Sequence, residues 1–272
     1  MAFAVVGHIE WVDFVRVARL PVAGEIAHAF EAWEEPAGGG AVSAAVLAAL
    51  AGGCLFLTAV GDDSRGRRAI EELRALGVRV DAATRAEPQR RAITFVDDSG
   101  ERTITLLSRK LAPCHADELP WDELGAADAV YFTGGDTEAL RAAREARVLV
   151  ATARELPTLV EAGVELDALV RSAGDPGESY ARGELDPPPR LVVSTAGAAG
   201  GVYVEEEGER RYAAAEVPGP VRDSYGSGDS FAAGLTYGLG SGLGVGASLE
   251  LASRCGALAL TRRGAYGGRL AP

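Results

Sequence analysis

The residues best suited to chemistry cluster late in the chain, in Asp223-Ser-Tyr-Gly226-Ser227-Gly228-Asp229-Ser230-Phe231. Two glycines flanking a small residue let the backbone take conformations closed to other residues and approach a ligand closely. Ala232 to Tyr237 can continue the segment as a helix. The N–H groups of Gly226, Ser227 and Gly228 at its first turn, with the helix dipole behind them, then make an anion site matched to a transferring phosphoryl group. Asp229, at the same helix start, is placed to accept a proton from a hydroxyl aimed at phosphorus. The plainer alternative is a turn shaped by two glycines, with Asp229 as a helix cap.

Such a segment needs a frame, and the rest of the chain supplies one. Ala2 to Val6 is an apolar run ended by Gly7, the pattern of a buried strand. Trp11 to Val17 and Ala27 to Trp33 read as strand pieces around a Pro21/Gly24 turn, too polar in alternation for core strands. Gly38-Gly39-Gly40 opens an alanine-rich helix over 41–51, closed by Gly52-Gly53. Cys54 to Val60 predicts a strand, and Ile70, Leu73 and Leu76 recur at helical spacing in a helix over 65–76. Ala92 to Val96 and Thr103 to Leu107 form a hairpin across Asp97-Asp98-Ser99-Gly100. Short apolar runs at 129–132, 148–151 and 191–194 alternate with helix-like stretches. That alternation predicts an α/β fold with a doubly wound, largely parallel sheet covered by helices on both faces.

Bulk properties narrow the function. The 272 residues are 47% hydrophobic and 24% charged, an ordinary globular composition read as a single domain over 1–272. A net charge of −12 disfavours nucleic acid or an anionic membrane as partner. No stretch approaches the roughly 20 apolar residues of a membrane span. Three cysteines, odd in number and without a CxxC, point to a reducing, cytoplasmic setting. The three histidines lack metal-ligand spacing. Lys110 is the sole lysine, so a Walker-type phosphate loop is absent.

Asp223-Ser-Tyr-Gly-Ser-Gly-Asp229 resembles the Asp-Thr-x-Gly-Ala-Gly-Asp signature of the ribokinase (PfkB) sugar kinases, with Ser224 and Ser227 as departures. Other pieces follow in that family's order. Gly7 to Asp13 resembles its opening strand and sugar-binding aspartate, and Pro36 to Ser43 its diglycine motif. Val60-Gly-Asp-Asp63, Gly66-Arg-Arg68 and Leu76-Gly-Val78 are similar to its next segment, and Thr195-Ala-Gly-Ala-Ala-Gly200 to its nucleotide loop. The resemblance implies a ribokinase-like fold with a small β lid, made here from about 11–35 and 91–107, and phosphoryl transfer from ATP with Mg²⁺ to a sugar or sugar-like acceptor. A monovalent-cation requirement stays open. Asp229 would be the base and Gly226 to Gly228 the anion hole. Asp13, Gly39, Gly40, Ser43 and Arg91 would meet the acceptor, and Thr195, Gly197, Gly200 and Asp223 the nucleotide.

Ser43 stands where the family has asparagine, Ser172-Ala-Gly-Asp175 replaces its Asn-x-x-Glu, and Ala151-Thr-Ala-Arg154 replaces an Asp-Pro-Asn-x-Arg-like stretch. These changes predict an altered metal shell in which Asp175 holds metal-bound waters. They also admit a silent sugar or nucleotide sensor as an alternative. Arg90-Arg91 suits either an anionic acceptor or a charged edge that blocks sheet-to-sheet pairing. Asp62-Asp63 reads as a helix cap. Trp11, Phe14, Phe30 and Trp33 could stack on a nucleoside base, or pack lid against lid in a homodimer. A dinucleotide fold is disfavoured, because Gly197 to Gly201 runs into a strand-like 202–206 rather than a helix.

Overall fold

The computed structural model describes residues 2–272. Strand β1 (Phe3–Val6) is buried on both faces and is the third strand from one edge of a nine-stranded sheet. To one side are β4 (Cys54–Gly61) and β5 (Val78–Arg85), and to the other β8 (Ala129–Phe132), β9 (Leu149–Thr152), β10 (Ala168–Ser172) and β11 (Val192–Thr195), all parallel. Antiparallel β12 (Gly201–Glu205) and β13 (Gly208–Tyr212) finish one edge, with the acidic run 205–207 at their turn.

Alternation along β1 divides the core. Phe3 and Val5 join residues of α1 (Gly39–Ala51), α2 (Ser64–Ala75), α5 (Ser227–Gly240) and α6 (Val245–Ala259). Ala4 and Val6 join those of α3 (Thr137–Arg144) and α4 (Leu156–Ala162) on the opposite face. Helices therefore cover both faces, as the strand–helix alternation requires.

A second, four-stranded sheet has the order β3-β2-β6-β7, from β2 (Glu10–Arg16), β3 (Glu31–Ala37), β6 (Arg91–Val96) and β7 (Arg102–Leu106). It occupies the segments expected to form a lid, with one shift. The strand expected over 27–33 lies at 31–37, because its register against β2 pairs Phe14 with Trp33 and Trp11 with Pro36. Pro36 is tolerated there because β3 is an edge strand. Two strands of the main sheet, β5 and β10, escaped the pattern reading. Only the first half of β5 alternates clearly, and β10 continues the apolar spacing of a helix-like stretch before it.

Of the lid aromatics, Trp11, Phe14 and Trp33 are packed within the chain, whereas Phe30 is 66% exposed. Trp11 and Phe14 are fully buried within the chain. Trp11 lies under the Arg68 guanidinium and donates from Nε1 to Glu34 Oε2 at 2.8 Å. Phe14 stacks on Trp33 with centroids 4.9 Å apart and meets the edge of Tyr225. Together with Val12, Ala37, Val42 and Ala265 it forms a small core that fixes the base of the lid to the body.

Candidate active site

A cleft of about 1310 Å³ separates the lid from the carboxyl ends of the central strands. Ligands of open α/β sheets bind at that end, where the loops leave the strands. His8 and Glu10 follow β1, Thr133 follows β8, Arg154 and Glu155 follow β9, Ser172 to Glu178 follow β10, and Gly197 follows β11. Lid residues Arg90, Arg102, Ile104 and Leu106, with Ser108 to Lys110 beyond β7, form the other wall.

The glycine-rich segment opens α5 inside this cleft. Gly226 caps the helix at φ 71°, a left-handed conformation that side chains disfavour, and a Cβ there would lie 3.0 Å from Val42 Cγ1. Ser227 N–H turns back on Ser224 O at 3.4 Å, so the Gly228 and Asp229 N–H groups are the orphan donors of the first turn. Asp229 is part-buried and faces Gly39, whose added Cβ would lie 3.1 Å from both Asp229 Oδ1 and Thr133 Oγ1 and 3.8 Å from His8 Cε1. Desolvation raises the Asp229 carboxyl above the usual range, with Arg102 and His8 opposing it. A raised carboxylate at a helix start, beside free N–H donors, sets a stronger base next to a site for negative charge.

Several expected residues are elsewhere. Asp13 lies outside the cleft, where Arg91 Nη2 donates to its Oδ2 at 2.7 Å. Successive side chains of a strand point to opposite faces, so Glu10 and Arg90 enter the cleft in place of Asp13 and Arg91. Arg90 Nη2 meets Glu10 Oε1 at 3.0 Å, and His8 Nε2 meets the same oxygen at 3.4 Å. Burial pushes Glu10 up, but His8, Arg90 and Arg154 together bring it below the ordinary carboxylate range. Ser43 is fully buried and donates to the Asp229 carbonyl at 3.2 Å, so it clasps α1 to α5 and does not line the cleft. Gly40 lies beneath the site, where an added Cβ would come within 2.7 Å of His8 O; only glycine admits that approach.

Of the residues expected at the nucleotide, Thr195 and Gly197 line the cleft, whereas Gly200 packs against the Tyr212 carbonyl, 2.2 Å from an added Cβ. Asp223 is buried and accepts from the N–H groups of Tyr225 at 2.8 Å and Gly264 at 2.6 Å. It thus braces the glycine turn from behind. Asp175 does line the cleft, with a companion that motif matching missed. Arg154 Nη2 donates to Asp175 Oδ2 at 2.6 Å and to Glu178 Oε1 at 2.7 Å. Asp175-Pro-Gly-Glu178 preserves the Asn-x-x-Glu spacing three residues later than Ser172-Ala-Gly-Asp175. The Arg154 contact holds the Asp175 carboxyl below its ordinary value.

The family model for pfkB family carbohydrate kinases matches residues 2–160 and 138–270. This chain belongs to that family. It is an ATP-dependent carbohydrate kinase. A protein of Halopiger xanaduensis named ATP-dependent ribose-1-phosphate kinase is 30% identical over 279 residues, covering 95% of this chain and 92% of that one. The Thermotoga maritima ribokinase structure superposes with a TM-score of 0.78 at 21% identity, over 97% and 94% of the two chains. An Arabidopsis thaliana ribokinase complexed with ribose and ATP gives 0.73 at 20% identity, over 97% and 94%. Those two structures share this kinase's fold.

Proposed function

We propose that this kinase transfers the γ-phosphoryl group of ATP to a hydroxyl of a sugar or sugar-like acceptor, with Asp229 as general base. The observation that supports this is the convergence of Asp229, the first turn of α5, Gly39 and Thr133 within one cleft of about 1310 Å³. The acceptor hydroxyl gives its proton to Asp229 while its oxygen forms the bond to phosphorus. The bond to the bridging oxygen of ADP breaks, and the N–H groups of Gly228 and Asp229 stabilise the charge in transit. Gly39 leaves room for the acceptor, and His8, Glu10 and Arg90 offer donors and acceptors for its other hydroxyls. Thr195 and Gly197 line the nucleotide end.

Asp175 and Glu178 fit a water-mediated Mg²⁺ site, whose ion would neutralise charge on the triphosphate. Arg154 holds both carboxylates in place for that role.

A nucleoside acceptor has less support, because Trp11 and Phe14 are consumed within the fold and Phe30 does not line the cleft. The Halopiger relative is named for a sugar phosphate, so phosphorylated pentoses belong in the assay beside neutral ones. Free Cys54, Cys114 and Cys255 and the use of ATP support a cytoplasmic setting. The loop over 17–30, with Val22 61%, Ile26 89% and Phe30 66% exposed, is the patch through which two lids would pair in a homodimer.

Asp229→Asn tests the central assignment. Turnover falls at least ~10²-fold while nucleotide binding by calorimetry persists. Unchanged turnover on the best acceptor removes Asp229 from the mechanism.

A further inference from the structure

Ser224 and Tyr225 stand between the bracing Asp223 and the glycine turn, and the lid holds both. Ser224 N–H donates to the Gly100 carbonyl, in the turn between β6 and β7, at 3.0 Å. From β7, Arg102 Nη1 donates to the Ser224 carbonyl at 2.5 Å and to its Oγ at 3.1 Å. That carbonyl also takes the longer, 3.4 Å contact from Ser227 N–H at the start of α5. Tyr225 is 4% exposed; its ring meets the edge of Phe14 on β2, and the Arg102 guanidinium lies 6.0 Å from the ring centroid. Its hydroxyl accepts from Gly38 N–H at 3.1 Å. Gly38 caps α1 immediately before Gly39, the residue that faces Asp229.

We infer that Arg102 and Tyr225 are positioning residues that act in series, Arg102 carrying the placement of the lid to the Ser224 carbonyl and the Tyr225 hydroxyl carrying it on to Gly38 and the glycines opposite Asp229. The inference rests on the reading of Asp229 and the first turn of α5 proposed above, and adds to it the residues that keep the two glycine segments in register.

A turn built from glycines has the most conformational freedom to lose, so it needs restraint from outside. Precision matters there, because a misplacement of about 1 Å at reacting groups costs on the order of 10² in rate. Asp223 restrains the turn from behind, through the N–H groups of Tyr225 and Gly264. The lid contacts of Ser224 and the Tyr225 hydroxyl restrain it from the other side. At the shared Ser224 carbonyl the charge-assisted bond from Arg102 is the stronger one, which leaves Ser227 N–H loosely engaged and able to turn toward an anion. Packing alone does not account for Tyr225. Phe14 and Val42 share a core with its ring, a role phenylalanine would fill, whereas the hydroxyl satisfies a buried backbone donor that would otherwise be unpaired.

A double-mutant cycle in the whole chain tests the linkage, using ATP and whichever pentose or pentose monophosphate gives the highest turnover. Tyr225→Phe keeps the ring and deletes the contact to Gly38. Arg102→Lys keeps the charge, but its shorter stem, without the planar fork, withdraws the donor from Ser224. Each is expected to lower kcat roughly 10-fold, while ATP affinity by calorimetry and acceptor KM change less than about threefold. Contacts in series are not additive, so the double variant should lose no more than about 30-fold, well short of the ~100-fold product. The acid limb of the pH–rate profile should stay in place in Arg102→Lys, which separates lost positioning from an altered base. Arg102 is exposed, so its variant keeps the result readable should Tyr225→Phe lower the melting temperature. Undiminished kcat in either single variant, even with a lower melting temperature, overturns the linkage, and so do losses that multiply in the double. ATP affinity falling with kcat in Arg102→Lys would make Arg102 a phosphate ligand and overturn its positioning role. Unchanged turnover in Asp229→Asn strikes the base assignment instead, and a cycle that fails to multiply would even then support the linkage.

Discussion

Desolvation raises the Asp229 carboxyl, and Arg102 is the strongest influence holding it down. On the role proposed for it, Asp229 must be ionised to accept a proton, so activity should fall on the acid side at a higher pH than an ordinary aspartate would give. Removing the cation in Arg102→Gln destabilises the carboxylate and raises its pKa further. The acid limb of kcat/KM should then move upward by roughly 0.5–1 pH unit. A pH–rate profile of both proteins checks this, and an unmoved limb would mean that another group governs it. Ser43 teaches the complementary lesson at this scale. Its hydroxyl, in the position of a family asparagine, donates to the Asp229 carbonyl and so ties α1 to the start of α5.

Among the elements, β3 ties the lid to the turn after α6. Glu31 pairs with Arg263, whose guanidinium lies 3.7 Å over Trp33, and Ala265 N–H donates to Glu35 Oε1 at 2.6 Å. Burial pushes Glu35 up to about 7, with nearby Asp223 adding to the effect and the Ala265 and Trp33 contacts opposing it. A carboxyl raised on folding contributes stability that is full below its unfolded value, near 4.5, and is lost as pH rises through about 7. Glu35→Gln keeps the acceptor for Ala265 and removes the buried charge. The variant should be more stable than wild type by about 1–3 kcal/mol at pH 8, with the difference shrinking toward pH 5. Thermal melts at the two pH values decide it. Equal shifts at both would place Glu35 in water.

At the scale of the whole molecule, the exposed apolar loop over 17–30 and the lid edges govern self-association. Light scattering at micromolar concentration should give a dimer, and Ile26→Asp with Phe30→Asp should give a monomer that retains its far-UV spectrum. A wild-type monomer removes the lid-to-lid contact. Among the described residues no helix is long and apolar enough to cross a membrane.

The glycine turn and the helix start that carries Asp229 were legible in the sequence because they are local. Gly226 to Asp229 are consecutive, and a helix start carries its donors, its dipole and its third-position carboxylate wherever it is placed. The parallel sheet was legible for a similar reason, since apolar runs and their spacing report burial within one segment. The lid side of the cleft was not. Whether Glu10 or Asp13, Arg90 or Arg91 faces the cleft depends on which face of β2 and β6 meets the body, and one residue of register reverses the answer. Arg154 reaches Asp175 and Glu178 from 21 and 24 residues away, and Lys110 meets Glu155 across 45 residues of chain. Those pairings arise from long-range packing of strands and loops that no local pattern encodes, so only the tertiary structure could decide them.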